Sequence, residues 1–126
     1  LDDAIAHYEK AAKLTPSNAG IYFNIGMAYS DLQKFEKARD NLEKAVEKNP
    51  SYAEAFFQLG NIDGKLQRYD DAKRHYQKAI DLKPDYGRAY YNLAGILSYE
   101  GEQDKADALL RKACQFGVTI ACQKKP

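Results

Sequence analysis

The 126-residue sequence predicts an all-α solenoid of antiparallel helix pairs stacked along one axis, on three observations. Pro16, Pro50 and Pro84 recur with a period of 34 residues. Between them the structurally demanding residues recur in the same rhythm, in the columns Ala4, Ala38, Ala72, Ala106 and Ala11, Ala45, Ala79, Ala113. Each period holds two segments of helical periodicity separated by a short polar turn. A fixed period of this length denotes repeated supersecondary units that bury their apolar faces against one another rather than one globular core.

Residues 1–16 carry only the second-helix columns, Ala4, Tyr8 and Ala11, and read as the latter half of a leading unit. The first full unit spans 17–50. Tyr22, Ile25, Gly26 and Tyr29 follow the i, i+3, i+4, i+7 spacing of one helix face. A turn at Gln33-Lys34 separates them from Ala38, Leu42 and Ala45 at i, i+4, i+7. The second unit, 51–84, repeats this with Phe56, Leu59, Gly60, a turn at Gln67-Arg68, then Ala72, Tyr76 and Ala79. The third, 85–118, carries Tyr90, Leu93, Ala94, Leu97, Ala106, Leu110 and Ala113, and ends at Gly117-Val118 without a proline. Residues 119–126 form a trailing segment, read as the start of a capping helix. Proline stops each second helix, and Ser17, Ser51 and Asp85 are the expected N-caps of the next first helix. Glycine inside a helix costs about 1 kcal/mol relative to alanine, so the recurrence of Gly26 and Gly60 argues that a partner helix packs on them.

This column set resembles the tetratricopeptide repeat family, whose pattern runs aromatic, Leu, Gly, Tyr, then Ala, Phe or Tyr, Ala and Pro. The resemblance covers nearly the whole chain. It implies a right-handed superhelix whose first helices line a concave groove, and a non-enzymatic role in holding a protein or peptide partner. One column departs from it: Tyr29 and Leu97 are matched by Asp63, followed by Gly64. Asp63 reads either as a dedicated polar site or point of helix distortion, or as a carboxylate bonded to a neighbouring hydroxyl or solvated at the helix end.

Composition narrows function further. Nineteen basic and eighteen acidic residues give a formal charge of +1, which offers no bulk attraction to nucleic acid. No apolar run approaches the roughly 18 residues of a membrane span. The amino terminus lacks the basic start and apolar stretch of a leader, but it reads as the middle of a repeat, so the chain is expected to be part of something longer. No catalytic, cofactor or metal constellation emerges. His7 and His75 share a column two units apart, without clustered ligands, and read as solvated. Mixed-sign runs such as Glu36-Lys37, Arg39-Asp40 and Glu43-Lys44 read as solvated outer faces.

Cys114 shares a column with Ala12, Val46 and Ile80, which suggests an apolar filler. On one continuous helix Cys122 lies about 12 Å farther along, too far for a disulfide, whereas a turn at Gly117 returns it towards Cys114. The spacing also resembles that of bacterial cysteine-rich helical repeats, in which such pairs bridge helices. Localisation depends on this pair: cytoplasmic by default, extracytoplasmic if the two are bridged.

The groove implied by the resemblance is lined by Phe23, Asn24, Met27, Phe57, Gln58, Asn61, Lys65, Arg88, Tyr91, Asn92 and Tyr99. Asn24, Gln58 and Asn92 form a carboxamide column, similar to the asparagine ladder of the O-linked N-acetylglucosamine transferases. Amides donate and accept, so they can pair with an extended peptide backbone without reading its sequence. Phe23, Phe57 and Tyr91 form an aromatic column beside them, read as side-chain anchors or as packing between units. The clamp by which some family members grip chaperone tails needs Lys and Asn where Phe23 and Met27 stand, and Arg88 matches it only in part. Two other readings remain: a substrate-recognition arm of a larger modifying enzyme, and an assembly module stacking through open repeat ends. In the latter the apolar face of Leu1, Ile5 and Tyr8 is covered by a second chain.

Overall fold

The computed structural model describes residues 2–122. These residues form seven α-helices: α1 (Asp2–Leu14), α2 (Ala19–Asp31), α3 (Phe35–Lys48), α4 (Ala53–Lys65), α5 (Tyr69–Leu82), α6 (Gly87–Tyr99) and α7 (Gln103–Gln115). A 3₁₀ turn at Thr119–Cys122 closes the described chain. The closest packing is within the pairs α2–α3, α4–α5 and α6–α7, and each pair also contacts the next. Leu1 and residues 123–126, parts of the expected apolar end face and trailing segment, lie outside the described residues.

The alanine columns are the seams of this stack. Ala38, Ala45, Ala72, Ala79, Ala106 and Ala113 have no exposed surface, and neither do Leu42 and Leu59. In α1 the same columns, Ala4, Tyr8 and Ala11, are only half-buried, with α2 the helix that packs on α1 among the described residues. Gly26 and Gly60 mark the tightest approaches. A Cβ at Gly26 would stand 2.8 Å from Leu42 Cγ and 3.1 Å from the Ala38 carbonyl oxygen. At Gly60 it would enter the Tyr76 ring at 2.6 Å.

Each first helix ends in the same device. The residue after the cap is left-handed at Gln33 (φ 60°), Gln67 (φ 61°) and Gly101 (φ 86°). The next N–H then reaches back to the last turn: Lys34 to the Tyr29 carbonyl at 2.9 Å, Arg68 to Asp63 at 2.8 Å and Glu102 to Leu97 at 2.8 Å. These paired backbone bonds satisfy carbonyls that the helix end would otherwise leave open.

The helix starts depart from expectation. Asn18, not Ser17, caps α2, its side chain accepting from the Ile21 N–H at 3.3 Å. Tyr52 and Tyr86 occupy the cap positions of α4 and α6 with no side-chain cap bond, so Ser51 and Asp85 do not cap either. Each Pro-Ser or Pro-Asp pair instead forms the middle of a turn, closed by Tyr52 N–H on the Asn49 carbonyl at 3.1 Å and Tyr86 N–H on Lys83 at 3.0 Å.

Cys114 is not a buried filler. It is half-exposed and disulfide-bonded to Cys122, with the Cα atoms 4.9 Å apart. Gly117 (φ 99°) makes the reversal that brings the two together. Val118 and Phe116 then lie against Gly87, and the Phe116 ring sits 5.7 Å from that of Tyr90. The bridge thus ties the end of α7 to the turn beneath α6. Closing so short a loop restricts the unfolded chain by about 2.5 kcal/mol. Reduction, or Cys114→Ala with Cys122→Ala, is expected to lower thermal stability accordingly, with exchange protection lost first near Phe116 and Val118; unchanged melting in reductant would remove this contribution.

Candidate functional site

The exposed face of α4 and α6 carries a connected group of amides. Asn61 is its centre. Its Oδ1 accepts from the Tyr76 hydroxyl and from Asn92 Nδ2 at 2.9 Å, while its Nδ2 donates to Gln58 Oε1 at 3.2 Å. Tyr76 rises from α5 between these two helices. Burial pushes its hydroxyl up to about 12, so it stays a donor. The amide group therefore joins neighbouring units through side chains that keep hydrogen-bonding capacity for a ligand.

Two clefts open on either side of Asn92 and Tyr76. One, of about 450 Å³, is bordered by Ser30, Gln58, Asn61, Gly64 and Lys65. The other, of about 550 Å³, is walled by Tyr69, Tyr91, Tyr99, Gly95 and Leu110. The second cleft has no charged side chain in its lining. Tyr99 is 75% exposed, and its ring lies 5.4 Å from that of Tyr69.

The expected lining residues divide. Gln58, Asn61, Lys65, Tyr91, Asn92 and Tyr99 border these clefts. Asn24 is exposed and Met27 half-buried on α2, outside both. Phe57 is no groove residue. It is 3% exposed, with its ring between Tyr86 at 4.9 Å and Tyr76 at 5.9 Å. Phe23 is half-buried and packs on Tyr52 at 5.2 Å, sealing the junction of two units. Arg88 is exposed but lies over Phe57 at 4.9 Å and Tyr86 at 5.7 Å. The aromatic column thus belongs to packing in two units and to a cleft only in the third.

Of the two readings of Asp63 the hydroxyl or solvent one fails, and His75 is not a solvated histidine. Asp63 is fully buried, and neither a hydroxyl nor solvent satisfies it. Its Oδ1 accepts from Arg39 Nε at 2.6 Å, and its Oδ2 faces His75 Nδ1 at 2.6 Å. A carboxylate only accepts, so that ring nitrogen carries the proton. Arg39, expected on a solvated face, turns inward from α3 and also meets Glu43 at 3.1 Å and Asp71 at 3.4 Å. Burial alone would lower the Arg39 guanidinium, but the bond to Asp63 and the charges of Asp63, Glu43 and Asp71 outweigh it and raise it. The hydrogen bond from Arg74 holds the Asp71 carboxyl below its ordinary value. This cluster joins α3, α4 and α5 across two units. Asp63 itself is sealed, while His75 also borders a surface cleft of about 340 Å³ with Phe56, Arg74, Gln77, Lys78 and Asp81. The signal for it was available: the apolar column broken at Asp63 coincides with Arg39 standing where Ile5 is buried in α1.

A family profile described as a TPR repeat matches residues 1–33, and one described as a tetratricopeptide repeat matches 18–85 and again 51–116. Among solved structures, a crystal structure of MamA is 29% identical, with a TM-score of 0.89 over 96% of this chain and 71% of that one. A second crystal structure of MamA protein is 28% identical, with a TM-score of 0.85 over 99% of this chain and 68% of that one. No curated protein sequence matches the chain.

Proposed function

Because the chain belongs to the tetratricopeptide repeat family, we propose that this protein-interaction scaffold holds an extended segment of a partner protein against α2, α4 and α6, without catalysis of its own. The observation that carries the reading is the amide group of Gln58, Asn61 and Asn92 set between two open clefts. Asn61 spends its oxygen on Tyr76 and Asn92, so the Gln58 amide donors and the Asn92 oxygen are what the group offers a peptide backbone passing over it. The partner's main chain is held there, and its side chains enter the clefts on either side. The Cys114–Cys122 bridge favours an oxidising compartment for this activity.

The test uses the tightest peptide selected from a random-sequence array on the intact chain. Replacing Gln58 and Asn92 together with alanine removes two side-chain bonds to the peptide, each worth on the order of 1 kcal/mol. Affinity is expected to fall about thirty-fold with helicity unchanged, since Tyr76 still satisfies Asn61. Equal affinity would remove the amide column from the binding surface.

One observation favours assembly as a second reading. Ala4 and Ala11 are half-buried in α1 where the other alanines of their columns are sealed. A helix from another copy would complete that seam. Sedimentation at micromolar concentration reads this directly, and a concentration-independent monomer would exclude it.

A further inference from the structure

Gly95 is a glycine that neither packing nor backbone conformation explains. Gly26, Gly60 and Gly87 lie against neighbours that leave no room for a Cβ, and Gly101 and Gly117 are left-handed. Gly64 falls in the last turn of α4. Gly95 stands within α6, away from both ends, and a Cβ there would meet nothing within 4 Å. A glycine inside a helix is less favourable than alanine, and where its bare backbone faces a cleft it lets a ligand approach closely.

The surroundings of Gly95 identify the visitor. Tyr91 and Tyr99 lie four residues before and after it, on the same helix stripe. They stand two turns apart, about 12 Å along the axis. The glycine is the gap between two rings. Tyr76 and the Tyr69 ring, paired with Tyr99, complete the walls, and the lining holds no charge that would compensate a desolvated ion. Among the described residues, Tyr69, Tyr91 and Tyr99 have no intramolecular hydrogen bond at their hydroxyls. The cleft therefore presents flat apolar faces edged with donors. A polyproline II segment is the complement: its rings are apolar and uncharged, its carbonyls accept, and proline brings no N–H needing a partner. One turn advances about 9 Å, short enough to lie between the two rings.

We propose that Gly95 floors a subsite for a proline-containing, extended stretch of the partner, gripped by Tyr69, Tyr91 and Tyr99. This rests on the groove reading above and names the class of segment that the groove takes.

The chain has no tryptophan, so its emission comes from ten tyrosines, of which Tyr69, Tyr76, Tyr91 and Tyr99 line this cleft. Decaproline titrated into the intact protein is expected to change that emission saturably. Neither a glycine-serine decamer nor decalysine should do so. Gly95→Ala is expected to weaken decaproline at least ten-fold while raising the melting temperature by a few degrees, because alanine is the better helix residue and meets no neighbour. Tyr99→Ala should weaken it similarly. Absence of saturable decaproline binding, or equal affinity in both variants, overturns the proposal. Preference for decalysine overturns it in favour of a cation held by the rings. An array-selected peptide that depends on Gln58 and Asn92 but ignores Gly95 also overturns the subsite while leaving the groove reading intact. Decaproline binding that depends on Gly95 but not on those amides supports the subsite and removes the amide group.

Discussion

Arg39→Met is expected to destabilise the protein by about 3–5 kcal/mol, the loss typical when one partner of a buried ion pair is removed. Asp63 has no exposed surface, and Arg39 is the cation that reaches it from the preceding unit. Without the guanidinium the carboxylate keeps only His75, whose own side chain is 12% exposed. The double change Arg39→Met with Asp63→Leu is expected to recover most of that loss, because the unpaired charge disappears and the column regains the leucine that stands at Leu97. Denaturant unfolding of the two variants separates the outcomes. If the single variant is as stable as the parent, the cluster does not hold the middle of the array together. The cluster also places a charged lock between units, and unpaired buried charge penalises any slip of α4 against α3 and α5.

Gly60→Ala is expected to cost about 2–3 kcal/mol, although alanine has the higher helix propensity. The added carbon would fall 2.6 Å from the ring of Tyr76, itself 4% exposed and tied to Asn61. The ring is held by its hydroxyl bond to Asn61, so relief requires ring or helix to leave its packed position. The third unit shows the permitted alternative, with Ala94 sealed in the same column opposite Leu110, a smaller and more pliant neighbour than a tyrosine ring. Gly60→Ala combined with Tyr76→Leu should therefore recover much of the loss in thermal unfolding. If Gly60→Ala alone raises the melting temperature, the close approach is not limiting.

The repeat seams were legible in the sequence because they are periodic. Ala38, Leu42 and Ala45 recur at helical spacing within a unit and again one period later, and nothing but a packed stack requires both. The amides Gln58, Asn61 and Asn92 were legible for the same reason, as polar residues beside a buried column. Phe57 was not. Its column also holds Phe23 and Tyr91, and only packing shows that one ring is sealed under Arg88 and Tyr86, one closes a junction, and one borders a cleft.

Sequence by itself determined that this chain is a stack of helix pairs, and which residues lie between the helices, because burial at a fixed period leaves a fixed signature. Tertiary structure alone decided what each exception does. Arg39 and His75 lie 24 and 12 residues from Asp63 in the chain and meet it at 2.6 Å, while Gly60 and Gly95 are the same residue with opposite surroundings. A period records what every unit shares. Charge pairing and open space depend on which side chains the neighbouring units bring, and those are set only when the helices are packed.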